Sequence, residues 1–123
     1  MATNTLITLT GAGLVVGKQL DITVTVQATV EIDAAAAQRR VSGWLASQVG
    51  DRLIGGAPSL VIGERAVWRV PCLLTSATHG ILGAVGTVDV DAVSAQILAH
   101  PSLIEDLTQH AQHLARSASA TTE

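Results

Sequence analysis

From residue 22 to residue 32 apolar and polar side chains alternate without a break. Ile22, Val24, Val26, Ala28, Val30 and Ile32 fall on one side, and Thr23, Thr25, Gln27, Thr29 and Glu31 on the other. Side chains of a strand point to opposite faces with period two, so the run predicts one long strand with a dry face and a wet face. Residues 6–10 predict a shorter strand, and Gly11, Gly13 and Gly17 predict the turn that makes the two a hairpin.

The period then changes. Asp33 is a suitable N-cap, and after it Ala37, Val41, Trp44, Leu45 and Val49 recur at spacings of three and four. That predicts a helix over 34–53, which Gly50 can end early, packed on the dry face of the long strand. Gly55-Gly56-Ala57-Pro58 is a break. Residues 60–62 predict a short strand and 63–65 a turn. The next strand spans 66–75, with Trp68, Val70, Cys72 and Leu74 on one face and Val67, Arg69, Pro71 and Leu73 on the other. Pro71 has no N–H to give a ladder, so it belongs at an edge or a bulge.

A polar loop over 75–80 leads to a strand over 81–91, where Gly83 and Gly86 predict a bulge or a close backbone approach. Residues 91–96 read as a turn into Ile97-Leu98. Ser102-Leu103-Ile104-Glu105 is a capping box, and the helix behind it carries Leu103, Leu107, Ala111, Leu114 and Ala118. Residues 117–123 read as a frayed tail. The predicted order is β-β-α-β-β-β-α. This is an α+β domain over 1–116, with an antiparallel sheet covered on one face by helices.

Composition changes the picture in one respect. Only 14% of the 123 residues are charged while 48% are apolar, against a usual charged share of roughly 25%. Part of the surface is therefore expected to be covered by another copy of the chain, most simply in a dimer. The formal net charge of −3 and the absence of a basic run argue against nucleic acid. Arg39-Arg40 reads as a solvated helix face. No apolar run reaches the ~20 residues needed to cross a membrane. The N-terminus has no basic stretch followed by an apolar one, and a single cysteine makes no internal disulfide, so a reducing cytoplasm is the expected home.

Candidate chemistry is thin. Gly11-Ala12-Gly13 with Gly17 has neither the dinucleotide nor the P-loop spacing, and a strand rather than a helix follows. Asp106, His110 and His113 fall at i, i+4 and i+7 on one helix face and form a conceivable divalent-metal set. No fourth ligand stands nearby in sequence, so no metal or other cofactor is expected. Cys72 and His79 flank a loop as a thiol–imidazole pair would, but Cys72 shares the face of Trp68, Val70 and Leu74 and reads as a small buried hydrophobe. Trp68 and Arg69 are the candidate partner-binding residues. Arg69 is expected to reach Asp89 or Glu64 across the hairpin. No nucleophile elbow, paired catalytic carboxylates or CxxC motif is present, and a non-enzymatic protein is expected.

Residues 34–98 resemble a PepSY domain. The resemblance is carried by the Ala-rich helix, the strand containing Ala-Val-Trp-Arg-Val, and the returning strand that ends Val-Asp-Val-Asp-Ala-Val-Ser-Ala-Gln-Ile-Leu. The chain departs from that pattern at Ala95, where the family has its turn glycine, at Pro71, and in the longer loop over 75–86. The resemblance implies a helix followed by a hairpin and an inhibitory or accessory, non-catalytic role. PepSY domains usually lie outside the cytoplasm, whereas this N-terminus shows no export signal. The resulting expectation is a small interaction or regulatory protein that self-associates through its sheet. The alternatives are a small-ligand or metal-binding protein that uses the last helix, and an antitoxin-like partner of another protein.

Overall fold

A computed structural model describes residues 17, 19, 23, 25 and 27–120 of the chain. Helix α1 (Ala34–Gln48) begins where Asp33 caps it, its carboxylate accepting from Ala36 N at 2.8 Å. It buries Ala37, Val41 and Leu45, spaced four apart on one stripe. The helix stops five residues before the predicted end. Val49 N and Gly50 N both donate to Leu45 O, and Leu53 starts a strand, 3% exposed against Leu74.

Strands β1 (Leu53–Gly55) and β2 (Ser59–Ile62) lie end to end along the same side of β3 (Ala66–Ser76). On its other side β3 pairs over its length with β4 (Gly80–Asp91), and β4 pairs with the two-residue β5 (Ile97–Leu98). All pairings are antiparallel. Helix α2 (Leu103–Ala120) then packs on β4. Both helices share one core with the sheet: Ala37, Val41, Leu45 and Leu107 meet Val70, Cys72, Val85, Val88 and Val90. The α+β class and the antiparallel sheet with its helices on one face are as the sequence predicted.

Pro71 sits inside the sheet rather than at an edge. On an antiparallel strand a residue's N and O point to the same neighbour. Pro71 O accepts from Gly56 N at 2.7 Å, so its hydrogen-free nitrogen faces the gap between β1 and β2, where no ladder bond is lost. The irregularities fall later. The pairing skips Val85 between Cys72–Gly86 and Leu73–Ala84, and skips Leu82 between Leu74–Gly83 and Thr75–Ile81. Each bulge turns an extra β4 side chain, Val85 or Leu82, toward the helices. Gly86 and Gly83 lie under Leu107 and Leu114, the close approaches their positions implied.

The predicted long strand over 22–32 is corrected in its described part, while the hairpin it was expected to form lies mostly outside the described residues. Gln27 to Glu31 belong to no strand, and Ala28 and Val30 are exposed rather than covered by α1. Among the described residues of the dry face only Ile32 packs on the core, and Glu31 N and Ile32 N both donate to Ala92 O, at 2.8 and 3.1 Å. Alternation specifies which side chains share a face. It does not supply a neighbour for the ladder, and β1, drawn from the predicted helix end, takes a place beside β3. The observed order over the described residues is therefore α-β-β-β-β-β-α. The strand over 6–10 lies outside them. Helix α2 runs on to Ala120, four residues into the predicted tail, through Ser-Ala repeats that tolerate helix.

Candidate functional site

The register separates the two faces of the sheet, because residues paired across antiparallel strands point to the same side. Val70, Cys72 and Leu74 face the helices. Val67, Arg69, Pro71, Leu73 and Thr75 therefore face away, with Ile54, Val61, Ala84, Ile81, Thr87 and Leu98 beside them. Neither helix covers this outer face. Ile54 is 38% and Ile81 60% exposed.

One ion pair crosses its middle. Arg69 Nε donates to Asp89 Oδ1 at 2.9 Å and Nη2 to Oδ2 at 3.1 Å. The hydrogen bond, and then the charge of Asp89, hold the guanidinium more firmly protonated. The pair is exposed and is worth at most about 1 kcal/mol of stability, but it leaves the face without net charge.

The edges are better protected than the face. Along β1, Gly55 N donates to Ser42 Oγ and Gln38 Nε2 donates to Gly55 O, so α1 occupies the polar groups that another strand would use. The remaining edge strands β2 and β5 are four and two residues long.

Trp68 lies on the other face from Arg69, half-buried beside the core, and its Nε1 donates to Ile32 O at 2.9 Å. The two candidate partner residues thus point to opposite sides of β3. Arg65, not Arg69, reaches the next turn. Asp91 Oδ1 accepts from Val93 N and Ser94 N, and Arg65 Nη1 stands 3.4 Å from Oδ2. The two backbone donors, more than Arg65, hold the Asp91 carboxyl below its ordinary range. Arg40 Nε donates to Ala95 O, tying α1 to the same turn.

Cys72 is fully buried, and burial pushes its thiol up to about 11, while His79 lies in the exposed turn between β3 and β4. A thiol held neutral in the core is no nucleophile. On α2, Asp106 and His113 are exposed, and His110 Nδ1 stands 3.1 Å from Val85 O. A carbonyl only accepts, so that nitrogen carries the proton and leaves Nε2 alone to ligate. Ser102 is not engaged as the capping box predicted: its hydroxyl bonds His100 Nδ1 and Asp106 Oδ2. Gly17, at φ +86°, is in a turn, and the rest of the Gly11-Ala12-Gly13 motif lies outside the described residues.

At the end of the sheet where β3 turns into β4, a cavity of about 230 Å³ opens between that turn, Arg52 and the last turns of α2. Its polar rim is not legible in the sequence, because the helical spacing carries Arg52 into the end of the predicted helix. Ile54 and Ile81 escaped notice for a similar reason: strict alternation does not survive a three-residue strand or a double bulge. Among the described residues no group of three His, Cys, Asp or Glu side chains is placed to hold a metal ion, and no helix is long and apolar enough to cross a membrane. No family model matches the chain, and neither a curated protein nor a solved structure matches it significantly.

Proposed function

We propose that the protein is a non-enzymatic interaction module that pairs with a second copy of itself through the outer face of its sheet. The observation that supports this most is the face that neither helix covers among the described residues, apolar across β1, β2, β3, β4 and β5, with Ile54 and Ile81 exposed, Val67 buried at its β2 end and a self-neutralised ion pair at its centre. A chain of net charge −3 would repel its copy through most surfaces, but this face brings no net charge to the contact.

Its size is adequate. The eleven residues of β3 at ~3.3 Å each, by three strand spacings of ~4.8 Å, give roughly 500 Å² per copy. Two faces then bury about 1,000 Å², the lower bound for a specific interface. Sheets packed in this way lie about 10 Å apart with their strands within ~30° of each other. Arg69 belongs to this contact, while Trp68 holds Ile32 on the far side. The resemblance of residues 34–98 to PepSY domains agrees with a non-catalytic, accessory role and enters the proposal only as a resemblance.

Light scattering on the chromatographed protein at micromolar concentration tests the reading. The expected mass is that of a dimer. Ile81→Lys and Ile54→Lys, both at exposed positions, are expected to give monomers with unchanged melting temperatures. A wild-type monomer, or a dimer indifferent to both substitutions, overturns the proposal.

A further inference from the structure

The cavity at the β3–β4 turn has a floor and a rim of different character. Leu74, Leu82, Ala115 and Ala118 form apolar walls, and Arg52, Thr75, Ser76, Thr78 and His79 contribute polar groups. Leu114 is spent on Gly83 and Ala111 on the core, so the next α2 positions facing the turn are alanines, too small to fill the space.

A hydrogen-bond account of the rim leaves donors in excess. The Thr75 hydroxyl donates to Arg52 O at 2.8 Å, which fixes the Arg52 backbone at the mouth. The Ser76 and Thr78 hydroxyls share one hydrogen at 3.1 Å, so one of their two hydrogens remains to be given. Among the described residues the guanidinium of Arg52 meets no carboxylate or carbonyl, unlike those of Arg65, Arg69 and Arg40. A guanidinium offers five N–H donors in a fork that matches a carboxylate, and it accepts nothing. Among the described residues Arg52 and His79 are the only ionisable groups on the lining, and no acid stands beside them there.

We infer that this cavity binds a small organic carboxylate with a compact hydrocarbon body, its head on Arg52 and the Ser76–Thr78 hydroxyls and its body against Leu74, Leu82 and Ala115. A cationic rim alone would accept inorganic phosphate equally well. The apolar walls set the preference, since a fully hydrated ion leaves them in water. The inference is separable from self-association, because Leu74, Leu82 and the α2 alanines that wall the cavity lie on the helix side of the sheet, and Thr75, the one lining residue on the outer face, gives its hydroxyl to Arg52 O.

The test is an amide and arginine-Nε NMR titration with three probes: benzoate, its neutral isostere benzamide, and inorganic phosphate. Benzoate is expected to give saturable shifts over residues 75–80 and at Arg52 Nε, with a Kd on the order of 1 mM, as suits a fragment-sized ligand. Benzamide is expected to bind at least about tenfold more weakly, the scale of one lost charge-assisted contact. Arg52→Gln should bring benzoate down to the level of benzamide and leave benzamide unchanged. Ala115→Leu should abolish both, and the same spectra report whether either variant is folded. Linear, unsaturable benzoate shifts overturn the inference. So does benzamide binding as well as benzoate, indifference to Arg52→Gln in a folded variant, or phosphate binding at least as tightly as benzoate.

Discussion

Leu107 and Gly86 touch so closely that a Cβ on Gly86 would stand 2.7 Å from Leu107 Cδ2. Leu107 is 1% exposed and is the fully buried residue through which α2 joins the common core. Gly86 faces it from β4, opposite Cys72 and beside the first bulge. A methyl group at residue 86 would have to displace a side chain that the core holds in place.

Gly86→Ala is therefore expected to destabilise the protein by about 1–3 kcal/mol, the usual cost of overpacking. Leu107→Ala should cost about 2–5 kcal/mol by leaving a cavity. The double variant should lose less than the two separate losses together, because the alanine at residue 86 enters the space vacated at residue 107. Urea midpoints at constant m-value measure all three. Additive losses would mean that the two residues do not share one packing site.

The turn after β4 contains the only non-glycine residue at positive φ among those described, Ala95 at +64°. A left-handed conformation costs an L-residue about 1–2 kcal/mol, and glycine escapes that cost while losing ~0.4–1 kcal/mol through its freer unfolded chain. Ala95→Gly should therefore stabilise the fold by roughly 0.8 kcal/mol, the centre of a difference that reaches about 1.6 kcal/mol at most. Ala92→Gly, at a fully buried position without positive φ in the same turn, should destabilise it. A lower denaturation midpoint for Ala95→Gly would show that the residue is not strained.

Elements that depend on local rules were legible in the sequence. Asp33 and the 37–41–45 stripe define α1, and the alternation of Trp68, Val70, Cys72 and Leu74 defines the buried side of β3. Where two neighbours share a requirement, the local reading fails. Leu53 continues the helical spacing of Val49, yet it is buried in β1, because Leu74 offers it a partner that a longer helix would not. The alternation over 22–32 is flawless, yet its described part enters no ladder. The candidate site was legible at Arg69, whose bond to Asp89 follows from cross-strand pairing. It was not legible at Ile54, Ile81 or Arg52, which only the sheet register and the β3–β4 turn bring into place.

Cys72 should behave as a core residue in chemical assays. Its thiol is fully buried and is pushed up to about 11 by that burial. A disulfide reagent at pH 8 should label it only as fast as the protein opens, and at once in denaturant. An unfolded thiol ionises near pH ~8.5, so between there and about 11 the unfolded chain binds fewer protons than the folded one. Stability should therefore fall as pH rises through that window. Cys72→Ala should lower stability at neutral pH yet flatten this alkaline slope. Rapid labelling of native protein at pH 8 would place the thiol outside the core.

Asp91 governs the opposite end of the pH scale. Its Oδ1 accepts from Val93 N at 2.8 Å and Ser94 N at 3.0 Å, and these bonds exist only in the folded turn. They hold the folded carboxyl below its ordinary value, with a lesser contribution from Arg65. A depressed acid means that the unfolded chain takes up its proton first as pH falls. The stabilisation is thus complete above the ordinary carboxylate value of ~3.9 and is lost as pH drops through the lower folded value. Asp91→Asn keeps a side-chain oxygen for the two amides but cannot titrate, so its stability should be less sensitive to acid below about pH 4. Arg65→Ala should keep most of the wild-type acid slope, because the backbone donors come first among the causes. The same order of causes predicts that 1 M salt, which screens Arg65 far more than a 2.8 Å hydrogen bond, changes the slope little. An acid slope that disappears in Arg65→Ala or in high salt would assign the shift to the ion pair instead of the turn.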